Sequence, residues 1–317
     1  MSDPLPPPEG FAFGHWSDEQ ARTGCTVVIP PEGSRGGVCV QGGGPGTRET
    51  DTLGPLANAE HTTALLFAGG SAYGLAAADG VARWCEQRGR GYETPAGLVP
   101  IVPAAVIYDL ASGSATVRPG PEEGYGACQE AGEGFPERGA VGAGTGAMVG
   151  KLLGRERGTR AGIGWTGLDV GGWARVGVLV VVNAVGDVID EDGSVLAGIK
   201  PEGPTDKETP PRSADAIAGL TEMPPLVPKL NSTLACVCTD AALDKRECAI
   251  VARMAVAGMA RAVDPVFTPF DGDVAFCLAS GPLEPGSRPT EPRGFPVAQV
   301  GVAAASATAA AIRDAVR

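Results

Sequence analysis

Short apolar runs, separated by turns rich in glycine and proline, make up most of the chain. Residues 176–182 are apolar almost throughout and rich in valine, which predicts a strand buried on both faces. Shorter apolar runs predict further strands at residues 26–29, 37–40, 64–68, 100–110, 234–238 and 274–279. The acidic residues 190–193, which follow the valine-rich strand, are too few for a calcium loop and predict a hairpin turn.

Helical spacing of apolar residues occurs in three places. Residues 75–85 carry an apolar stripe directly after a glycine-rich turn. A second stripe predicts a helix that is capped by Thr239 or Asp240 and ends near Val263. The alanine-rich residues 296–316 predict a closing helix whose apolar side belongs to the core.

The composition is that of an ordinary globular protein. With 317 residues, 43% hydrophobic and 20% charged, the chain can bury a large core as one large or two modest domains. A net charge of −12 without a basic stretch argues against a nucleic-acid partner. No apolar run reaches 18 residues, and the proline-rich start lacks a signal pattern, so we expect a cytoplasmic protein without a membrane partner.

Few residues of the usual catalytic and metal-binding types are available. The eight cysteines form no CxxC pair and are expected to be small buried thiols. A serine–histidine–aspartate triad or a histidine-based zinc site would need His15 or His61, the two histidines of the chain. We therefore predict no metal and no cofactor, and we assign the chemistry to other groups.

Two glycine-rich stretches suggest anion binding. Residues 69–74 lie between a predicted strand and a helix, so they form either an anion site or a tight turn. Residues 142–151 fail the Walker pattern, because Thr145 replaces the first glycine and Leu152 follows Lys151, and they fail the dinucleotide pattern as well. Without further information, Lys151 is interpreted as a solvated lysine.

Polar residues at two element ends leave two interpretations each. Asn183 closes the valine-rich strand, either as a turn residue or as an amide that stabilises an oxyanion. Asp271 and Asp273 form either a solvated turn or a carboxylate pair that orients a nucleophile. Residues 198–231 are rich in proline and form a long loop with one short helix near residues 214–220, and loops of this length are usually functional or disordered.

Ser232 begins a predicted buried strand directly after this loop. The Asn231–Ser232–Thr233 triplet is an ordinary turn in one interpretation, and as a glycosylation sequon it would need a secreted chain. In the other interpretation, the bond between Asn231 and Ser232 is cut. Ser232 then carries a hydroxyl nucleophile and a free α-amine. This amine has a pKa of about 8 and acts as the base for the hydroxyl of the same residue.

Nine motifs occur in order along the chain. The motifs are Gly-Cys-Thr-Val-Val (24–28), Gly-Pro-Gly-Thr-Arg-Glu-Thr-Asp (44–51), Gly-Gly-Ser-Ala-Tyr-Gly-Leu (69–75), Val-Pro-Ile-Val-Pro-Ala-Ala (99–105), Val-Gly-Ala-Gly-Thr-Gly-Ala (141–147), Val-Asn-Ala (182–184), Asn-Ser-Thr-Leu (231–234), Thr-Asp-Ala (239–241) and Asp-Gly-Asp (271–273). Together they resemble the self-processing L-aminopeptidase/D-esterase family, which includes β-aminopeptidases and nylon-oligomer hydrolases. The similarity covers nearly the whole chain and is greater to the nylon-hydrolase branch, which has threonine as nucleophile where this chain has serine.

The resemblance implies one α+β domain over residues 1–317, an αββα four-layer sandwich similar to N-terminal-nucleophile hydrolases. It implies cleavage into an α chain (1–231) and a β chain (232–317) that stay together, usually in a tetramer, with residues 198–231 as the processing loop. The implied catalytic residues are the nucleophile Ser232, the oxyanion donor Asn183, and Lys151, Asp271, Asp273 and Tyr108. Ser71 and Tyr73 match pocket positions without an assigned role.

The implied activity is hydrolysis of small peptide or amide bonds by an autoprocessing serine-type aminopeptidase. Two alternatives remain open at this point. One is a self-cleaving acyltransferase similar to the ornithine acetyltransferases, and the other is a non-catalytic member that stays uncut. The sequence leaves the substrate open among α-peptides, β-peptides, D-amino-acid esters and synthetic amides.

Overall fold

A computed structural model of the chain describes residues 4–202, 209–221, 231–281 and 294–317. Its α-helices are α1 Ala77–Glu86, α2 Pro121–Gln129, α3 Ser213–Ala218, α4 Lys245–Ala260 and α5 Pro296–Asp314. Its strands are β1 Ala12–Asp18, β2 Thr23–Ile29, β3 Arg35–Val40, β4 Thr47–Arg48, β5 Leu65–Ala68, β6 Tyr92–Thr94, β7 Gly97–Val99, β8 Ala104–Val106, β9 Gly132–Glu133, β10 Met148–Val149, β11 Thr159–Arg160, β12 Ile163–Val170, β13 Ala174–Asn183, β14 Asp187–Ile189, β15 Val195–Ala197, β16 Ser232–Thr239, β17 Val263–Asp264 and β18 Val274–Ala279.

Two large sheets pack face to face between two layers of helices. One sheet has the strand order β4-β8-β5-β2-β1-β9, and the other has the order β12-β13-β16-β18-β3. Helices α1 and α2 contribute to the core on the first sheet, and α4 and α5 to the core on the second. This αββα arrangement confirms the predicted α+β four-layer sandwich.

The valine-rich strand shows why the second sheet is apolar on both faces. In β13, Val178 and Val180 belong to the core beneath α4 and α5, whereas Leu179 and Val181 belong to the core between the sheets. A side chain at Gly177 would collide with the Trp165 ring, because a Cβ there would lie 2.2 Å from it. The fully buried strand predicted from this run is therefore confirmed.

The predicted start of α4 is wrong. The helix begins at Lys245, and Asp244 caps it by accepting the Glu247 N–H at 2.7 Å. Thr239 instead donates its hydroxyl to the Arg175 carbonyl at 2.8 Å, and Asp240 accepts the Arg175 N–H at 2.7 Å. Both side chains therefore fasten the end of β16 to the start of β13.

Other predicted elements are present with different bounds, and β2, β3 and β16 are longer than predicted. The strand predicted at 100–110 is limited to β8, and residues 190–193 make the hairpin between β14 and β15 as expected. In the proline-rich loop, α3 is the predicted short helix. Residues 203–208 and 222–230 of that loop lie outside the described residues.

Candidate active site

Ser232 is the first residue of β16, in the middle of the second sheet. The antiparallel register of β13 and β16 places Asn183 directly opposite Ser232. On the other side, β18 runs parallel to β16, and Asn231 makes a β-bridge with Asp271. The sheet register therefore brings a hydroxyl, an amide and a carboxyl from three distant parts of the sequence to one place.

The peptide bond before Ser232 lies in a polar environment. The Ser232 hydroxyl donates to the carbonyl oxygen of Asn231 at 2.6 Å. The Gly272 N–H donates to the same oxygen at 2.8 Å. This carbonyl is therefore polarised by a backbone donor and a hydroxyl donor, and the hydroxyl belongs to the residue that directly follows the peptide bond.

Lys151 is buried, with 8% of its surface exposed, so its interpretation as a solvated lysine is wrong. Its Nζ donates to the carbonyl oxygen of Asn183 at 2.9 Å and to the Asn183 Oδ1 at 2.6 Å. Burial, with a contribution from the charge of Arg155, lowers the pKa of Lys151 well below its usual value. A lysine with a depressed pKa has a larger neutral fraction, which can accept a proton.

Asn183 directs its side chain into the site and is not a turn residue. Its Oδ1 also accepts the Met148 N–H at 3.2 Å, and its Nδ2 donates to the Tyr108 carbonyl at 3.3 Å. Tyr108, which the family resemblance places in the site, thus reaches it through its backbone. These contacts fix the amide orientation, because both ends of the group are bonded.

Asp271 and Asp273 are both 1% exposed, so the solvated-turn interpretation of this pair is wrong. Asp271 accepts the Thr268 hydroxyl at 2.5 Å and the Thr268 N–H at 3.1 Å. Asp273 accepts the N–H of Thr233 at 2.6 Å and that of Phe267 at 3.1 Å. Its partner Thr233 directly follows Ser232 in β16, so the carboxyl group fixes the backbone next to Ser232.

Burial raises the pKa of both carboxyl groups. For Asp273 the nearby charge of Asp271 adds to this effect, and its pKa is about 7. The pKa of Asp271 is raised by burial and lowered again by its hydrogen bonds and by Lys151. The site therefore holds a lysine and two carboxyl groups whose protonation changes closer to neutral pH than usual.

The glycine-rich turn at 69–74 is a tight turn. The carboxylate of Asp109 accepts the Gly70 N–H at 2.7 Å, and the Ser71 N–H donates to the Ile107 carbonyl at 3.0 Å. The anion proposed from the sequence is thus replaced by the carboxylate of the protein itself. Tyr73 in this turn is exposed, and the Arg118 guanidinium lies 3.7 Å from its ring centroid.

The histidines lie apart from this site. His15 is on β1, and burial lowers its pKa to about 4, while its Nδ1 lies 3.0 Å from the Thr26 hydroxyl. His61 is exposed. Within the described ranges no three His, Cys, Asp or Glu side chains are grouped as for a metal ion, and no helix there is long and apolar enough to cross a membrane. Seven cysteines are buried and Cys39 is partly so, which confirms the prediction of buried thiols.

Four groups of the site were not assigned a role from the sequence. Thr268 and Phe267 hold the carboxyl groups, Gly272 donates its N–H, and Asp109 holds the neighbouring turn. Phe267 and Gly272 act through backbone N–H groups, and Thr268 and Asp109 act through side chains. Phe267, for example, adopts a φ of 57°, which is rare for a bulky residue and which accompanies its N–H bond to Asp273.

A family model described as peptidase family S58 matches residues 9–317. The chain belongs to peptidase family S58. An uncharacterized aminopeptidase of Mycobacterium tuberculosis (strain ATCC 25618 / H37Rv) is 43% identical over 320 residues, which cover 96% of this S58 chain and 90% of the relative. A 6-aminohexanoate-oligomer endohydrolase of Agromyces sp. (strain KY5R) is 29% identical over 286 residues, covering 90% and 77%.

Among solved structures, the S58 chain is similar to the L-aminopeptidase D-Ala-esterase/amidase of Ochrobactrum anthropi, which is a variant of the Ntn hydrolase fold. The TM-score is 0.67 at 17% identity, with 97% of this chain and 84% of the other covered. The family resemblance inferred from the motifs is thereby confirmed. The S58 chain is a hydrolase that acts on peptide or amide bonds.

Proposed function

We propose that this S58 peptidase cuts its own chain between Asn231 and Ser232 and then hydrolyses small peptides or amides with Ser232 as an N-terminal nucleophile. The observation that carries the proposal is the pair of short contacts on the Asn231 carbonyl oxygen, from the Ser232 hydroxyl at 2.6 Å and the Gly272 N–H at 2.8 Å. A nucleophile and an oxyanion donor thus converge on one peptide bond.

Self-cleavage begins when the Ser232 Oγ attacks the Asn231 carbonyl carbon. The hydroxyl proton passes to the neutral amine of Lys151, and Gly272 N–H stabilises the oxyanion. Expulsion of the Ser232 nitrogen, which takes up a proton, leaves an ester between Asn231 and the Ser232 Oγ. Water then hydrolyses this ester, which leaves a carboxylate on Asn231 and restores the Ser232 hydroxyl beside its new α-amine.

Turnover repeats the same acyl chemistry on a substrate. The α-amine of Ser232 serves as base for its own hydroxyl, because its reference pKa of about 8 lies near neutral pH. We assign the Asn183 side-chain amide and the Gly272 N–H as donors to the substrate oxyanion. Asp273 fixes the backbone of Thr233 through its 2.6 Å bond, and Asp271 is held beside it by Thr268.

Mass spectrometry of the purified protein tests the proposal. We expect two polypeptides of 231 and 86 residues, the second beginning at Ser232. A single intact chain after prolonged incubation at neutral pH, under conditions where the fold is retained, would leave the proposal without its central event.

A substitution at Gly272 should slow self-cleavage through geometry alone. A Cβ at this position would lie 2.8 Å from the Gly44 carbonyl oxygen and 2.8 Å from the Ser232 Oγ. We expect Gly272→Ala to displace the hydroxyl and to lower the rate of fragment formation by on the order of 10²-fold. The matched control is Gly44→Ala, whose Cβ would have its nearest contact at 3.8 Å. Equal rates for the two variants would contradict the assigned geometry.

The proposed substrate class is taken from the names of the similar proteins. Small peptides and amides are the proposed substrates, since the relatives include an aminopeptidase and an endohydrolase of 6-aminohexanoate oligomers. No observation favours the acyltransferase alternative. The tetramer, the cytoplasmic location and the division into two chains within one domain stay predictions.

A further inference from the structure

A group of arginines beside Lys151 is not used by the proposed mechanism. Arg155 lies close enough to Lys151 for its charge to lower the pKa of that lysine, and the charge of Arg22 acts on Arg155 in the same way. Arg160 likewise lowers the pKa of Arg22, after burial as the main cause. Four of the 25 basic residues of a chain with net charge −12 are thus concentrated at one place.

The hydrogen bonds of this group are incomplete. Nη2 of Arg155 contacts the Ser112 hydroxyl and lies 3.3 Å from the Met148 sulfur, while its Nη1 is buried without a partner. Nε of Arg22 is buried without a partner as well. Within the part of the chain that the structure describes, neither arginine has a carboxylate oxygen within 4.0 Å. Buried cationic donors without an acceptor are costly, so an anion at this place would be stabilising.

The arginines lie on the Asn183 side of the nucleophile. Arg155 contacts Met148, whose N–H is bonded to Asn183, and Asn183 is opposite Ser232 in the sheet. Both arginines are partly exposed, but the unpartnered Arg155 Nη1 and Arg22 Nε are buried, so a ligand that approaches from the exposed side reaches these two donors only when the guanidinium groups shift. The carboxylate of Asp109 raises the pKa of Arg155 and so offsets some of the positive charge; its Oδ1 accepts the Gly70 N–H, and its Oδ2 is buried without a partner.

We propose that Arg155, with Arg22 beside it, binds a carboxylate group of the substrate. This inference rests on the proposed function and specifies the substrate class of the same site. A guanidinium is suited to the task because its planar donors match a carboxylate in two parallel hydrogen bonds. The carboxylate has two possible sources, the C-terminus of the leaving amine in a short peptide or an acidic side chain on the acyl part.

The test compares Arg155→Gln with the wild type on four substrates. These are alanylalanine, its C-terminal amide, and the p-nitroanilides of alanine and of glutamate. We expect Arg155→Gln to raise KM by on the order of 10- to 100-fold for the carboxylate-bearing substrates and to leave the neutral ones within about 2-fold. A loss confined to alanylalanine identifies the leaving-group carboxylate, and a loss confined to the glutamate anilide identifies the acidic side chain.

Arg157→Gln is the matched control, because it removes the same charge from the same turn. The Nε of Arg157 donates a hydrogen bond to the carbonyl oxygen of Lys200 at 3.1 Å. We expect this variant to keep the wild-type preference for carboxylates. If Arg155→Gln lowers kcat/KM equally for charged and neutral substrates, Arg155 is only structural and the inference is overturned.

Two further readouts separate this inference from the proposed function. Self-cleavage of Arg155→Gln should still go to completion, since the Asn231–Ser232 bond carries no carboxylate, and any slowing should be limited to the effect of a higher Lys151 pKa once the Arg155 charge is removed. Calorimetric titration with N-acetylalanine and N-acetylalaninamide reports on the site even if no amide is hydrolysed. We expect the wild type to bind the anion at least about 10-fold more tightly than the amide, and Arg155→Gln to lose this preference. Equal binding of both by the wild type would overturn the inference alone.

Discussion

Replacing Ser232 with alanine should leave one polypeptide of 317 residues and no amide hydrolysis. The substitution removes the attacking oxygen, whereas the Asn231 carbonyl keeps its 2.8 Å bond from the Gly272 N–H. The fold should therefore persist. Loss of a serine nucleophile typically lowers kcat by on the order of 10⁶-fold, so neither fragments nor product should be detectable. Mass spectrometry and a chromogenic amide assay measure the two effects.

Ser232→Thr is the matched control, because it keeps a hydroxyl at the same position. Threonine also suits the first position of a strand, so this variant should still form the two fragments, at a rate that reports on crowding by the added methyl group. The assignment of the nucleophile is wrong if Ser232→Ala is cut at the same bond as the wild type, or if the uncut variant hydrolyses amides at the wild-type rate.

Lys151→Met should slow self-cleavage by on the order of 10²- to 10⁴-fold, the usual contribution of a positioned general base. Methionine has nearly the same length and suits a buried site, but it lacks the amine that donates to the Asn183 Oδ1 at 2.6 Å and to its carbonyl oxygen at 2.9 Å. The time course of fragment formation after a short pulse of cell-free synthesis measures the rate.

Lys245→Met controls for the loss of a buried lysine. The Nζ of Lys245 donates to the carbonyl oxygens of Thr52, Ala57 and Ala59, at 3.0, 2.9 and 2.6 Å, at the start of α4. This variant should lower the free energy of unfolding by about 1–3 kcal/mol, because three partly buried carbonyls lose their donor, and still form fragments at the wild-type rate. Slow fragment formation in Lys245→Met, or fragment formation at the wild-type rate in Lys151→Met, would contradict the role of Lys151.

The pH dependence of the wild type gives an independent check on the same groups. The pKa of Lys151 is lowered and that of Asp273 is raised to about 7, so the neutral amine and the charged carboxylate both become more populated as the pH rises. Self-cleavage should therefore accelerate between about pH 6 and pH 8. In Lys151→Met, the remaining rate of self-cleavage should increase less over the same pH range, because the lysine no longer contributes to the increase. A wild-type rate that falls over this range would contradict the assignment.

The elements that depend on local pattern were predictable from the sequence. The runs that form β13, β16 and β18 are apolar because both faces of their sheet are covered. A continuous apolar run of this kind can be recognised in the sequence. Ser232 was selected as the candidate nucleophile for a similar reason. A hydroxyl residue between a proline-rich loop and a buried strand is a local feature with a specific chemical use.

The burial of Lys151 was not predictable from its neighbours. Its surroundings in the sequence are glycine-rich and flexible, which favours a solvated side chain, and its assignment came from the family resemblance. The burial of Lys151 results from tertiary structure, which brings Asn183 from the end of β13 into hydrogen-bonding contact with its amine. The cap of α4 was missed because Thr239 and Asp240 have the right residue types but are used by β13. Phe267 and Gly272 act through backbone N–H groups, which no residue type specifies.

If the chain is cut between Asn231 and Ser232 as proposed, the strand order of the second sheet has a consequence for the two pieces. Strands β16 and β18, from the 86-residue piece, lie between β13 and β3, which both come from the 231-residue piece. Separating the two pieces would require breaking hydrogen-bonded ladders on both sides of the inserted pair, together with the cores on both faces of the sheet. The cut would therefore create a new N-terminus while the two pieces stay associated. The cut protein should unfold as a single cooperative unit.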